Sequence, residues 1–214
     1  MSDDRAHILA AVAAALARRR TRTPHPEYDP ALATARGRLA GGDLLADLQR
    51  NFEAAAGTWL QSPSAVAAFL REQGAHAGYC DPALPAEIRA ALTAAGLACA
   101  GHVVRADIEA LDFAVTRATA AIAETGSLVL TDADTPDRLT AVAPWIHVAV
   151  LDPATIRASL ADMLGSLPDD PNIVFVTGPS QTADVEGILI RGVHGPGVQC
   201  CLPMDSHRSK ETAT

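Results

Sequence analysis

The sequence of 214 residues is short of aromatic side chains, of positive charge and of closely spaced cysteine pairs. Aromatic residues make up 4% of the chain, so alanine and the aliphatic residues must build most of its core. Lys and Arg number 17 against 25 Asp and Glu, which gives a net charge of −8. A field of this sign repels polyanions, so neither nucleic acid nor an anionic membrane is expected as the main partner.

None of the four cysteines forms a C-x-x-C pair, so the sequence offers no ligand set for a zinc ion or an iron–sulfur cluster. Buried, reduced thiols are the simpler interpretation, including for the adjacent Cys200 and Cys201. No apolar run approaches the roughly 18 residues that a membrane-spanning helix needs. The first residues are apolar before they are basic, which is the wrong order for a signal peptide. Together these features predict a cytoplasmic protein.

The composition, with 49% hydrophobic and 20% charged residues, is that of a globular protein with one ordinary domain. Apolar residues recur at helical spacing over residues 3–20, and three prolines within 21–30 predict a linker. Residues 1–30 are therefore expected to form an arm, which could pack on a neighbouring subunit and make a homo-oligomer. Residues 31–205 are expected to form the domain itself, and residues 206–214 a polar, frayed tail.

From residue 43 onward, short apolar segments alternate with segments of helical pattern. This alternation predicts an α/β domain with a mostly parallel sheet covered by helices. Asp43 and the pair Ser62-Pro63 are expected to begin helices. The more strongly apolar strands are expected at residues 113–116, 127–130, 145–151, 173–177 and 198–202, and a further helix at 182–190.

In a parallel α/β sheet, ligands bind at the carboxyl ends of the strands, and three segments are expected there. The first contains Glu124, Thr125, Gly126 and Ser127. Its glycine would let the backbone come close to a ligand, and its carboxylate could act as nucleophile, base or hydrogen-bond acceptor. The alternative is a tight turn with an exposed glutamate.

The second segment follows the strand predicted at 173–177 and contains Gly178, Ser180 and Thr182. A strand that runs through a turn of small residues into a helix N-terminus can bind phosphate or carboxylate. Asp184 and Glu186 would oppose an anion, but they could accept hydrogen bonds from hydroxyl groups of a ligand or stabilise the helix dipole. An ordinary helix cap at Ser180 or Thr182 is an equally good interpretation.

The third segment, residues 192–197, has the order G-x-x-G-x-G and precedes the last predicted strand, so it is not a dinucleotide-binding fingerprint. His194, next to Gly195, could serve as acid, base or ligand donor, or could simply face solvent. The other histidines, His147 among them, show no ligand spacing. The acidic residues at 132, 134 and 137 indicate a polar turn rather than a calcium loop, so no metal site is predicted.

The strand at Phe113–Ala118 and the three segments, in this order and spacing, resemble the core of the LUD (lactate-utilisation) domain family over residues 113–202. The resemblance implies a fold like that of the ribose-5-phosphate isomerase and CoA-transferase group, with a twisted, mostly parallel sheet. It also implies a role in oxidising L-lactate to pyruvate together with iron–sulfur partner proteins. The resemblance itself assigns no catalytic residue.

Some members of that family carry a cysteine-rich, ferredoxin-like region, and this sequence resembles the shorter members that lack it. Iron–sulfur clusters are therefore expected on partner proteins, and the cofactor of this chain is left open. The predicted ligand is a small anionic metabolite, bound in a cleft formed by residues 124–127, residues 178–182 and His194. Two alternatives stay open: a stand-alone CoA-transferase or sugar-phosphate isomerase with Glu124 as nucleophile or base, and a non-catalytic assembly subunit.

Overall fold

A computed structural model describes residues 2–17, 39, 41–135, 137–183 and 188–205. The chain divides into two units, Met1–Ala33 and Thr34–Thr214. The first contains helix α1 (Ser2–Ala17), whose described side chains are all exposed. The predicted linker at 21–30 and the predicted tail at 206–214 lie outside the described residues. No helix in the described part of the chain is long and apolar enough to cross a membrane.

The second unit is an α/β structure, as predicted. Its helices are α2 (Leu44–Ala54), α3 (Pro63–Glu72), α4 (Ala86–Ala94), α5 (Leu139–Val142) and α6 (Leu160–Leu164), with 3₁₀ turns at Arg105–Ala110 and Pro153–Thr155. Its strands are β1 (Thr58–Trp59), β2 (Ala77–Cys80), β3 (Ala98–Ala100), β4 (Phe113–Ala118), β5 (Ala120–Ile122), β6 (Ser127–Thr131), β7 (Ile146–Leu151), β8 (Ile156–Arg157), β9 (Ile173–Val176), β10 (Gln181–Thr182), β11 (Ile190–Arg191) and β12 (Val198–Pro203).

Six strands form a central, fully parallel sheet in the order β1-β12-β7-β4-β2-β3. The inner strands β4 and β7 are buried along nearly their whole length, as expected for apolar runs that helices or a second sheet cover on both faces. The predicted caps are confirmed. The Asp43 side chain accepts hydrogen bonds from the first turn of α2, and the Ser62 side chain accepts one from the first turn of α3.

A second, four-stranded sheet in the order β8-β5-β6-β9 is mixed, because β6 runs antiparallel to both β5 and β9. The strands predicted at 127–130 and 173–177 belong to this sheet. One apolar core lies between the central sheet and helices α3 and α4, and it includes Phe113 and Val148. Another includes Phe52 of α2 and Leu128 of β6, so α2 and the second sheet cover the opposite face of the central sheet.

The helix predicted at residues 182–190 is wrong at both of its ends. Gln181–Thr182 pairs antiparallel with Ile190–Arg191 and forms a short hairpin. β-branched side chains at Thr182, Ile188 and Ile190 favour extended backbone over helix, which explains the difference. Residues 184–187, and with them Asp184 and Glu186, lie outside the described part of the chain.

The four cysteines are free thiols, and three of them, Cys80, Cys200 and Cys201, are buried, as expected. Burial raises the pKa of Cys80 to about 11 and that of Cys200 to about 12, so both thiols are protonated at neutral pH. The thiolate is the form that attacks electrophiles and binds metals. The buried cysteines therefore act as small apolar side chains in this fold.

Three buried polar side chains on neighbouring strands form one hydrogen-bonded network at the centre of the sheet. His147 Nδ1 lies 3.0 Å from Gln199 Oε1, and His147 Nε2 lies 2.9 Å from Thr116 Oγ1. Because an amide oxygen only accepts, Nδ1 must donate, and Nε2 then accepts the proton of the Thr116 hydroxyl. Full burial lowers the pKa of His147 to about 4, so the ring is neutral at physiological pH.

Candidate functional site

A cavity of about 530 Å³ opens at the carboxyl ends of four adjacent strands of the central sheet, β12, β7, β4 and β2. This is the edge at which parallel α/β sheets bind ligands. The apolar part of its wall comes largely from the loop between β2 and α4. The polar side chains in its wall are Arg117, Thr119, Asp134, Asp152 and Thr155.

Arg117 is the positively charged group of this cavity. It lies near the carboxyl end of β4 and is half-buried. Its Nη2 donates a hydrogen bond to the carbonyl oxygen of Ala83 at 2.8 Å. Among the described residues, no carboxylate lies within ion-pair distance of the guanidinium group. Since a guanidinium has five N–H donors, Arg117 can still offer a forked pair to an anion.

The other polar groups of the cavity differ in the number of hydrogen bonds that they make within the protein. Asp152 Oδ1 accepts a hydrogen bond from the Ala154 N–H at 2.9 Å, and Thr155 Oγ1 donates to the Asp152 carbonyl at 2.8 Å. Thr119 Oγ1 lies 2.8 Å from Thr131 Oγ1. For Asp134, by contrast, no hydrogen bond or ion pair of its carboxylate is found within the described residues. The wall therefore holds three charged groups, Arg117, Asp134 and Asp152, and Asp134 is the one for which no contact is found within the described residues.

Sequence reasoning missed this cavity because it treated Phe113–Ala118 as a strand of the core only. A usable signal was present: an arginine near the end of an otherwise apolar strand, and Asp152 directly after the buried strand β7. Because the carboxyl ends of parallel strands meet at one edge, those two positions must approach each other.

Glu124, predicted as a catalytic residue, lies buried in the turn between β5 and β6. Its Oε1 accepts a hydrogen bond from the Leu160 N–H at 2.8 Å, at the first residue of α6. Its own N–H donates to the Ala158 carbonyl at 3.1 Å. The carboxylate therefore satisfies a free N–H of a helix terminus, and the alternative of an exposed glutamate is wrong. A catalytic role for Glu124 stays a prediction.

We expect the Glu124→Ala variant to lose about 2 kcal/mol of its free energy of unfolding, because the Leu160 N–H loses its acceptor and the buried glutamate side chain is removed. The Glu124→Gln variant keeps an acceptor oxygen and should lose about half as much. Urea unfolding followed by circular dichroism measures both variants, with the exposed Glu87→Ala as control. Equal stability of Glu124→Ala and wild type would contradict the capping role.

Gly126 and Gly178 both let helix α2 approach closely. Gly126 has a φ of +68°, and a Cβ there would overlap the backbone of Asn51 and Phe52. Gly178 has a φ of +75°, and a Cβ there would overlap the carbonyl oxygen of Ala55. The requirement for glycine is therefore real, but its cause is packing within the protein.

The hydroxyl groups of the first segment join it to the second. Thr125 Oγ1 lies 2.7 Å from Ser127 Oγ, which in turn lies 2.5 Å from Thr177 Oγ1. The Asn51 side chain of α2 donates to the Ala123 carbonyl at 2.7 Å and holds the same turn from the other side. These contacts bring the turns at residues 124–127 and 177–178 together at the C-terminal end of α2.

The second and third segments also meet, around Ser180. The Ser180 N–H donates to the Pro196 carbonyl at 2.8 Å, and the His194 N–H donates to Ser180 Oγ at 3.3 Å. A Cβ on Gly195 would lie 3.3 Å from the Ser180 Cβ, so the loop is closely packed there. The His194 side chain is exposed, and Thr182 lies half-buried in the hairpin.

The predicted segments do not lie at the edge that holds the cavity. Gly192 and Gly197 pack against the ring of Trp145, which directly precedes β7. The third segment directly precedes β12, and α2 ends just before β1. These positions are the amino ends of the parallel strands, so the expectation that these segments lie at the carboxyl edge of the central sheet is wrong. Ligand binding by these segments stays a prediction.

The sequence profile of the LUD domain matches residues 65–201, which is more than half of the chain and includes β2, β4, β7 and most of β12 around the cavity. The chain belongs to the LUD domain family. Its LUD domain is similar to lactate utilization protein C of Shouchella clausii, with 29% identity over 106 residues, and of an Exiguobacterium species, with 36% identity over 93 residues. The first match covers 45% of each chain and the second 40%, so the matched stretch spans under half of either relative.

The LUD fold is also seen in a solved structure. The crystal structure of a DUF162 family protein from Deinococcus radiodurans superposes with a TM-score of 0.53. The superposition covers 78% of this chain and 99% of the other, at 19% sequence identity. At that identity the likeness concerns the fold alone.

Proposed function

We propose that this LUD domain protein is a component of an L-lactate oxidation system, in which lactate is converted to pyruvate together with iron–sulfur partner proteins. The observation that carries the proposal is the family match over residues 65–201, joined to relatives named lactate utilization protein C. The two electrons that leave lactate would pass to clusters on the partners. The contribution of this chain would be to bind a small anionic metabolite.

Deletion of the gene tests this function. We expect the deletion strain to stop growing on L-lactate as sole carbon source and to grow normally on pyruvate, because only the oxidation step is lost. A plasmid copy of the gene should restore growth on lactate. Undiminished growth of the deletion strain on lactate would overturn the proposed function.

A non-catalytic assembly subunit is the second candidate, and one observation favours it. Three large apolar residues in or next to the β10–β11 hairpin are exposed to solvent. The exposed fraction is 61% for Ile188, 57% for Leu189 and 50% for Val193. Trp145, which contacts the neighbouring loop, is also more than half exposed. Co-purification of iron–sulfur proteins with the tagged chain, without binding of any metabolite, would favour this candidate. The transferase alternative needs Glu124 as nucleophile or base. The Glu124 carboxylate accepts a hydrogen bond from the first N–H of α6, and this contact does not favour that alternative.

A further inference from the structure

We propose that the cavity at the carboxyl ends of β2, β4, β7 and β12 binds a small 2-hydroxy acid. Arg117 holds the carboxylate of the ligand, and Asp134 accepts a hydrogen bond from its hydroxyl group. The choice of a hydroxy acid rests on the function proposed above. The cavity and the presence of Arg117 and Asp134 in its wall are observations independent of that function.

Arg117 suits a carboxylate by charge and by shape. Its guanidinium group makes one hydrogen bond to the Ala83 carbonyl and has no carboxylate partner among the described residues. A planar guanidinium can bind both oxygens of a carboxylate through two parallel N–H groups. The N-terminal residue of α4, Ala86, and the preceding Pro85 also line the cavity, so the positive end of that helix adds to the attraction.

Asp134 supplies the complementary group. It lines the same cavity, from the turn that follows β6, and is half-buried. An ionised carboxylate only accepts hydrogen bonds, so it attracts a hydroxyl group and repels a second carboxylate. A ligand that carries one carboxylate and one hydroxyl group offers a partner to each of Arg117 and Asp134. A simple carboxylic acid satisfies Arg117 alone and leaves Asp134 without a donor.

The size of the cavity sets an upper bound on the ligand. Lactate occupies about as much space as four water molecules, or roughly 120 Å³ at the volume of water in the liquid. The cavity of about 530 Å³ therefore also accepts 2-hydroxy acids with longer chains. Specificity for the carboxylate and the hydroxyl then comes from Arg117 and Asp134 rather than from steric fit.

Three isosteric ligands separate the two contacts: L-lactate carries a hydroxyl group, propionate lacks it, and L-alanine has an ammonium group in its place. Isothermal titration calorimetry on the purified full chain measures the affinity of each. We expect wild type to bind L-lactate at least tenfold more tightly than propionate, because a hydrogen bond to a charged acceptor contributes about 1.5 kcal/mol or more. Arg117→Met should lower the affinity for both acids at least tenfold. The affinities of Arg117→Lys should lie between those of Arg117→Met and those of wild type.

Asp134→Ala should abolish the preference for lactate over propionate and leave the affinity for propionate unchanged or higher, whereas Asp134→Asn, which keeps an acceptor oxygen without the charge, should only reduce that preference. Arg71→Met removes an exposed arginine on α3 and serves as the matched control, with wild-type affinities expected. Thermal unfolding of each variant shows whether it is folded, and Arg117→Lys keeps the test decisive where Arg117→Met does not fold.

Three results would overturn the inference: no binding of lactate by wild type, equal binding of lactate by wild type and a folded Arg117→Met, or tighter binding of L-alanine than of lactate. The last result would assign the cavity to an amino acid. Failure here is separable from failure of the proposed function, because the growth of the deletion strain does not depend on where a ligand binds.

Discussion

The Gly178→Ala variant is expected to lose about 4 kcal/mol of its free energy of unfolding, the sum of left-handed backbone strain and overlap in a packed interior. Gly178 has a φ of +75°, which disfavours any side chain. A Cβ at this position would also overlap the carbonyl oxygen of Ala55, at the end of α2. That oxygen belongs to the backbone, so it cannot move aside as a flexible side chain could.

Gly96 offers a closely matched control. Its φ is +76°, but a Cβ there would meet no atom within 4 Å. Gly96→Ala should therefore cost only the backbone strain, about 1 kcal/mol. Urea denaturation of the two variants beside wild type gives the difference. Equal losses in the two variants would mean that the approach of Gly178 to α2 contributes nothing, and the packing account of this glycine would then be wrong.

Acidification is expected to destabilise the protein through His147, by about 3 kcal/mol between pH 6.5 and pH 4. Burial lowers the pKa of His147 from 6.5 to about 4. Within this range the unfolded chain binds a proton at His147 and the folded protein does not, so the free energy of unfolding falls as the pH falls. Above pH 6.5 the ring is neutral in both states, and the contribution no longer changes with pH.

The His147→Asn variant isolates this contribution from the other titrating groups. At pH 7 it should be about 2 kcal/mol less stable than wild type, because Thr116 and Gln199 lose part of their network. The variant has no histidine to protonate at this position, so the gap should close as the pH falls, and at pH 4 the variant should be about 1 kcal/mol more stable than wild type. The exposed His102→Asn serves as control. An NMR titration of wild type in which the His147 ring protonates above pH 6 would refute the prediction without any variant.

The sequence predicted the central sheet better than the second one. The strands expected at 113–116, 145–151 and 198–202 correspond to β4, β7 and β12. They are apolar on both faces, and local pattern suffices to recognise such strands. β5, by contrast, is the run Ala120–Ile122 in a segment rich in alanine. Its strand state depends on pairing with β6 and β8, and local sequence does not encode such partners.

The candidate site also could not be predicted from local sequence, because it depends on contacts between residues far apart in the chain. Local sequence correctly marked Gly126 as a position of close backbone approach, but a ligand and a helix make the same demand on a glycine. Only the fold reveals that α2 is one element that makes this close approach. Arg117 was missed for the opposite reason, because its significance comes from three other strand ends that lie far from it in sequence.

The position of β12 also has a consequence for how the chain folds during synthesis. Although β12 is formed by residues 198–203, it lies inside the central sheet, between β1 and β7. Until the ribosome releases these residues, β1 has no partner among the described strands and one edge of β7 lacks the neighbour that it has in the folded protein. An open edge of an apolar parallel strand can pair with other chains. The nascent chain therefore passes through a stage at which an apolar strand edge is open to pairing with other chains, and this stage ends when β12 is in place.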